Sequence, residues 1–450
     1  MKITAMTPIF RRTAPVRSLA LLALLLGSYL TAQAVEAQEP VAQQLVERGA
    51  YLALAADCAG CHSAPQGESY AGGVALNTPI GVVYTTNITP DLETGIGRYS
   101  EDAFQKAMRE GVAKDGHHLY PAMPYVSYAK LSQEDLMALH AYFMRGVKAV
   151  HRINHQTRLS WPLSQRSLMA LWNALYLEKG SYRDATDQSP SWNRGAYLVQ
   201  GLGHCGECHT PRGVAGQLTA RSERDGSNYL AGATLDHWRA SPLAGAAAAG
   251  LSAWSRDEIV EFLKTGRTDR VAALGPMSEV VGKSCQYLSD PDLNAIAEYL
   301  LSLPVGASQR AQPAQRPSEA GGASETTRAL RSGRAEMRGA RSYLDNCNAC
   351  HHLDGAGSRR TFPSLVKNAA VNARDPVSLI HLVLAGSAMP STRTAPSALA
   401  MPGLGWRLSD AELADLLSFV RGSFGNDAPQ VSRAEVARLR KALARQIKTQ

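Results

Sequence analysis

Cys58-Ala59-Gly60-Cys61-His62 recurs as Cys205-Gly206-Glu207-Cys208-His209 and again as Cys347-Asn348-Ala349-Cys350-His351. In a Cys-x-x-Cys-His stretch the two thiols add to the vinyl groups of one haem, and the adjacent imidazole takes an axial position on its iron. The three copies start 147 and 142 residues apart, the size of one small domain each time. They consume six of the seven cysteines. The expectation is three covalently bound haem c groups, with His62, His209 and His351 as proximal ligands. A zinc site or a thiol oxidoreductase fits less well, because a His follows each pair and the sites recur singly. Cys285 is left over and reads as a buried, inert thiol.

The repeat extends on both sides of the motifs. Arg48-Gly49-Ala50-Tyr51-Leu52 and Arg194-Gly195-Ala196-Tyr197-Leu198 precede the first two, and a looser Arg338-Gly339-Ala340-Arg341-Ser342-Tyr343-Leu344 precedes the third. Small residues there let a helix approach another backbone closely. Each unit ends on a capping-box pattern: Ser132 with Asp135, Ser289 with Asp292, Ser409 with Glu412. Eleven residues after each leading Leu stands an aromatic, Tyr142, Tyr299 or Phe419, expected to pack the terminal helix on the N-terminal one. Alternating strand pattern is scarce, so the units are expected to be mostly α.

Haem iron held by one His needs a second ligand or an open site, and a thioether in that place suits electron transfer. Met123, in Pro121-Ala122-Met123-Pro124, lies 8 residues before Leu131; Met277, in Gly275-Pro276-Met277, lies 11 before Leu288. Met401 lies 7 before Leu408 and Met389 lies 19 before it, so repeat spacing selects Met401, with Met389 the alternative. The other histidines recur at no repeat position and read as surface or core residues.

The N-terminus carries Lys2, Arg11, Arg12 and Arg17, an apolar run from Ser18 to Leu30, and Ala32-Gln33-Ala34. That is the layout of a secretory signal peptide cleaved after Ala34, or after Ala37. The formal charge of +8 includes those four cations and gives no reason to invoke nucleic acid. Residues 305–333 are rich in Pro, Ala, Gly, Ser, Gln and Arg and read as a flexible linker that tethers the third unit loosely. The tail places Val436, Leu439, Leu443 and Ile447 on one helical face among basic residues. It reads as an interfacial helix on an anionic membrane, as a helix docked on its own unit, or as one frayed in solvent. The stretch from Trp161 to Tyr176 is the second candidate for membrane, quinone or partner contact, with inter-unit packing its plainer reading.

Several further runs carry a family resemblance: Asn87-Ile88-Thr89-Pro90-Asp91 with Thr94-Gly95-Ile96-Gly97, Tyr120-Pro121-Ala122-Met123-Pro124-Tyr125, Trp192-Asn193-Arg194-Gly195-Ala196-Tyr197-Leu198, Cys208-His209-Thr210-Pro211-Arg212, and Ala400-Met401-Pro402-Gly403 with Gly405-Trp406. With them the chain resembles the tri-haem cytochrome c subunits of membrane-associated bacterial dehydrogenases. These accompany quinoprotein alcohol dehydrogenases and flavin-dependent gluconate, sorbitol or fructose dehydrogenases; some relatives serve molybdenum enzymes. The resemblance implies Met123, Met277 and Met401 as distal ligands. It also implies a separate periplasmic catalytic subunit of the PQQ or flavin type, and electrons delivered to membrane ubiquinone. No Gly-x-Gly-x-x-Gly fingerprint follows a strand to offer a hydride-accepting cofactor site of the chain's own.

The expected architecture is thus mostly α. It comprises a signal peptide (1–34), three tandem class I-like cytochrome c domains (35–185, 186–304 and 334–427), a linker (305–333) and a basic tail (428–450). The place of work is the periplasmic side of the cytoplasmic membrane, peripherally attached. The rivals are a catalytic multihaem peroxidase, which needs an iron without a sixth protein ligand, and an oxidase-linked soluble cytochrome.

Overall fold

The computed structural model describes Met1, residues 41–244, Leu251, residues 254–304, 324–334 and 336–449, with side chains as far as residue 445. Residues 2–34 of the expected signal peptide, and 305–323 of the expected linker, lie outside the described residues.

The first unit opens with helix α1 (41–55), followed by α2 (Cys58–His62) on the first haem motif. Strands β1 (Ala75–Thr78) and β2 (Gly81–Tyr84) form an antiparallel hairpin, Ala75 opposite Tyr84. Then come α3 (Glu101–Glu110), the single turn α4 (Tyr125–Tyr128) and α5 (Gln133–Ala141). The connection adds strand β3 (Arg158–Leu159), paired with β2, and helix α6 (Leu168–Tyr176).

The second unit begins with α7 (Pro190–Tyr197), where Ser189 caps the Trp192 amide and Pro190 takes the first turn that lacks a partner for its N–H. After it come α8 (Gly206–His209), hairpin β4 (Ala233–Leu235) and β5 (Trp238–Ala240), α9 (Arg256–Thr265), α10 (Pro276–Lys283) and α11 (Asp290–Ser302). The third holds α12 (Glu325–Arg331), α13 (Ala340–Asn346), α14 (Asn348–His351), α15 (Val377–Ala385), strands β6 (Gly386–Ala388) and β7 (Ala400–Pro402), α16 (Asp410–Arg421) and α17 (Arg433–Thr449).

The Arg-Gly-Ala repeat explains how the helices cross. A Cβ on Gly49 would stand 1.9 Å from the Ala138 carbonyl of α5, and one on Gly195 would stand 2.0 Å from the Ala295 carbonyl of α11. Gly339 meets the Asp415 carbonyl of α16 at 2.2 Å in the same way. The aromatics close the crossings as expected: Tyr299 is fully buried and meets Trp192 edge-on at 5.0 Å, and Phe419 packs on Tyr343 at 5.6 Å. Each such side chain contributes roughly 1.5–3 kcal/mol by leaving water.

Of the three unit-closing helices α5, α11 and α16, only α16 carries the complete capping box, Ser409 with Glu412. Ser132 and Ser289 do cap the amides of Asp135 and Asp292. Their acids, however, turn away to Arg48 and Arg194, at 2.5–2.9 Å and 2.8 Å.

Two expectations need correction. Among the described residues the first two units share one buried cluster, running from Leu52 and Leu139 to Leu198 and Leu293, while the third has its own around Tyr343 and Leu416. The third unit is also held more firmly than its linker implied. Helix α12 lies inside the stretch assigned to the linker and buries Leu330 in the third core. The third unit docks on the second through Arg267, which is buried and reaches the Ser397 carbonyl at 2.7 Å. Gly266 leaves no room for a side chain against Pro390, and the Gln286 side-chain carbonyl accepts the Arg393 amide at 2.9 Å. Composition alone hid this, because the docking residues are scattered over loops of both units.

The tail resolves in favour of its docked alternative. Helix α17 buries Val436 and Leu439 against the third core, and Arg440 joins Asp410 at 2.7 Å. No helix among the described residues is long and apolar enough to cross a membrane.

Candidate haem-attachment sites

Each Cys-x-x-Cys-His sits on a helical turn that points its imidazole at a backbone carbonyl. His62 Nδ1 lies 2.7 Å from the Thr86 carbonyl, His209 Nδ1 2.7 Å from that of Ser241, and His351 Nδ1 2.9 Å from that of Pro363. A carbonyl only accepts, so in all three the proton resides on Nδ1 and Nε2 keeps its lone pair. Burial holds each imidazole below its ordinary pKa against the opposing pull of that hydrogen bond, so the neutral, ligating form prevails. A metal-bound His needs this orientation and tautomer, and here it recurs three times.

The thiols argue in the same direction. Burial pushes Cys58 up to about 12, Cys61 to about 11, and Cys205 and Cys347 to about 12. Thiols held protonated are poor nucleophiles for disulfide exchange. Among the described residues no group of three or more His, Cys, Asp or Glu is placed to hold a metal ion. The donor set therefore fits covalently held haem: Cys58, Cys61 and His62; Cys205, Cys208 and His209; Cys347, Cys350 and His351. Cys285 is buried, and that burial pushes its thiol far up, in keeping with an inert residue.

The first two sites adjoin. His204, immediately before Cys205, donates from Nε2 to the Ala56 carbonyl at 3.2 Å, and Tyr128 donates to the same oxygen at 3.1 Å. Asp57 lies beside that carbonyl with a left-handed φ of 48°. Burial pushes its carboxyl up to about 7, opposed by Lys283 of α10. A Cβ on Gly60 would come within 2.5 Å of the Asp57 carboxyl, which would have to turn aside.

The methionines take three settings. Met123 is half-buried against the shared core and held by its own unit: its amide donates to the Tyr120 carbonyl at 3.1 Å, and its carbonyl accepts the Tyr125 amide at 2.8 Å. Met277 is the second residue of α10, a helix that also packs on α2 of the first motif. Met401 lies at the centre of β7, half-buried against the third core. Met389 is buried at the end of the same ladder, its amide donating to the Leu399 carbonyl at 2.9 Å.

The carbonyls of Thr86, Ser241 and Pro363 escaped the sequence reading, since a backbone acceptor leaves no residue-type signal. Helix α6 does part of the packing assigned to its stretch: Trp172 donates to the Ala215 carbonyl at 2.9 Å and Asn173 receives the Tyr125 hydroxyl at 2.7 Å. Trp161, Leu171 and Leu175 remain exposed. His140 is bonded to the Tyr99 carbonyl at 3.1 Å, a structural role as expected.

A cytochrome c family model matches residues 46–146 and 336–423. The chain is 46% identical over 426 residues to the gluconate 2-dehydrogenase cytochrome c subunit of Pantoea cypripedii, covering 94% of this chain and 95% of that one. It is 44% identical over 426 residues to the cytochrome c subunit of the quinone alcohol dehydrogenase of Gluconobacter oxydans, with 94% and 86% covered. The fructose dehydrogenase cytochrome subunit of Gluconobacter japonicus is 39% identical over 432 residues, with 93% and 87% covered. The chain belongs to the cytochrome c family and, within it, to the cytochrome c subunits of these bacterial dehydrogenases.

Proposed function

We propose that this protein is the electron-transfer subunit of a periplasmic dehydrogenase that oxidises an alcohol, sugar or sugar acid. In this reading it carries three covalently bound haem c groups and passes electrons to membrane ubiquinone. The observation that carries it is the threefold imidazole-to-carbonyl arrangement of His62, His209 and His351. Bound haem supplies a one-electron ferric–ferrous couple.

The chain's own residues do the rest. The carbonyls of Thr86, Ser241 and Pro363 fix the tautomer and plane of each proximal imidazole. Met123, Met277 and Met401 would serve as the distal ligands, and thioether ligation would raise the potential. Substrate oxidation resides on a partner catalytic subunit with a PQQ or flavin cofactor. The location is the periplasmic face of the cytoplasmic membrane, with Trp161, Leu171 and Leu175 as the apolar surface offered to it.

Purification from membranes under mild detergent tests the reading. A dehydrogenase should accompany the chain, substrate should reduce all of its haem, and a quinone analogue should reoxidise it. Rapid carbon monoxide binding to a native haem would speak for the peroxidase rival. Absence of any dehydrogenase would leave the soluble cytochrome.

A further inference from the structure

Met123 is held by bonds within its own unit, but the turn that carries Met277 is held by the third. Gly275, two residues before Met277, donates its amide to Ser387 Oγ at 2.8 Å. Ser278, one residue after, donates its hydroxyl to the Ala388 carbonyl at 2.8 Å. Both acceptors belong to β6 of the third unit. Within the β6–β7 ladder Ser387 stands directly opposite Met401, and directly paired residues face the same side of a ladder.

The docking is buttressed from behind. Gly275 has φ +58°, and its missing Cβ leaves room for the Trp238 ring, which would otherwise be met at 2.8 Å. Trp238 in turn stacks on His381 of α15, centroids 4.2 Å apart and planes 29° from parallel. The adjacent Arg239 amide donates to Ser378 Oγ at 2.6 Å. The same short segment ends at Ser241, whose carbonyl anchors His209. Both axial anchors of the second site thus lie on backbone that the third unit contacts.

We infer that the third unit positions the axial pair of the second haem site, with Ser387 as the positioning residue that holds the Met277 turn in place. The inference rests on the proposed ligation by Met277 and Met401. It makes the second site the middle of the series, joined to the first through Ala56 and His204 and to the third through Gly275 and Ser387. The amide-to-hydroxyl bond from Gly275 to Ser387 is small against folding but large for a weakly held thioether.

The test uses the full holoprotein with Ser387→Ala, Ser387→Thr and Met277→Ala, read by potentiometric titration and by the near-infrared thioether-to-iron band. Ser387→Ala should move one centre's equilibrium about tenfold toward the oxidised form, about 59 mV for one electron. Its band should weaken, the centre held by Met123 should stay unchanged, and Ser387→Thr should restore both readings. Unchanged potentials and band in Ser387→Ala, with Met277→Ala altering them, would overturn the positioning role alone. An unchanged band in Met277→Ala would overturn the ligand assignment and the inference with it. Equal shifts at all centres in Ser387→Ala would mean general loosening and would also overturn it.

Discussion

Tyr51 of the first unit donates its hydroxyl to Asp292 of the second at 2.5 Å, and Tyr197 of the second returns the same bond to Asp135 of the first at 2.5 Å. Each carboxylate is at the same time bound by the arginine of its own unit, Arg194 or Arg48. Each tyrosine oxygen also accepts the amide of the serine that caps the opposite helix, Ser289 at 3.1 Å or Ser132 at 3.2 Å. The two units are therefore joined by a reciprocal pair of Arg–Asp–Tyr clusters. The third unit has Arg341 where the first two have Tyr51 and Tyr197, and it stands outside the pair.

Tyr51→Phe should destabilise the protein by about 1.5 kcal/mol, the lower end for a hydrogen bond to a charged group, because Tyr51 is half-exposed. Tyr197 is buried, and Tyr197→Phe should cost about 2–3 kcal/mol. The clusters meet where the Arg194 guanidinium stands over the Tyr197 ring, 5.6 Å from its centroid, a contact that Tyr197→Phe keeps, so the double variant should lose close to the sum. Urea midpoints of the holoprotein check this; a double variant no worse than Tyr197→Phe would show that the clusters are not independent.

Acid should act through Asp292. Burial pushes its carboxyl up, but hydrogen bonds from Arg194 and Tyr51, with the Arg194 charge, prevail and hold it below the ordinary carboxylate value. The folded state then binds fewer protons than the unfolded chain. Its contribution is complete above the unfolded carboxylate pKa of about 3.9 and disappears as pH falls through the lower folded value. The urea midpoint should drop below about pH 4 in the wild type and drop less steeply in Asp292→Asn. An equally steep fall in the variant would place the effect elsewhere.

Gly195→Ala separates helix propensity from packing. Alanine in an exposed helix gains about 1 kcal/mol over glycine. Here its Cβ would stand 2.0 Å from the Ala295 carbonyl, so the crossing of α7 and α11 must open, at about 3 kcal/mol or more. Gly201 meets only ordinary contacts, the nearest at 3.5 Å, and Gly201→Ala serves as the control expected to fall within about 0.5 kcal/mol of wild type. Thermal unfolding of both variants decides it.

The haem motifs, the helix crossings and the aromatics that close them were legible because each depends on residue types at fixed spacing. Arg48 and Arg194 were visible in the repeat, but the pattern around Ser132 and Ser289 read as capping boxes. A carboxylate three residues after a serine looks the same whether it bonds back to the cap or out to an arginine. The absence of tyrosine at position 341 was the available sign that the third unit stands apart. The imidazole anchors were illegible because they are carbonyls. The docking of the third unit was hidden as well, since Arg267, Gln286, Trp238 and His381 belong to no repeat.

Haem content tests the three attachment sites one at a time. Cys58→Ser with Cys61→Ser should remove about one third of the haem absorbance per chain, and the matching double changes at Cys205 and Cys208 or at Cys347 and Cys350 should do the same. Pyridine haemochrome spectra against total protein give the ratio. Loss of about one half from any one pair would mean two haems, not three.

The proposed membrane attachment separates α6 from α17. Val436 and Leu439 are 0% and 5% exposed, while Trp161, Leu171 and Leu175 are 80%, 62% and 66% exposed. The tail's apolar face is occupied by its own unit, whereas that of α6 is open to a bilayer. Replacing Trp161, Leu171 and Leu175 by Ser removes roughly 3–5 kcal/mol of apolar burial, so binding to anionic vesicles should fall by about 10²- to 10⁴-fold with the urea midpoint nearly unchanged. Val436→Asp should do the reverse, lowering stability by about 3 kcal/mol or more while the folded fraction still binds vesicles. Co-sedimentation with vesicles, read beside unfolding curves, distinguishes the two. If Val436→Asp abolished binding at full stability, the anchor would be the tail.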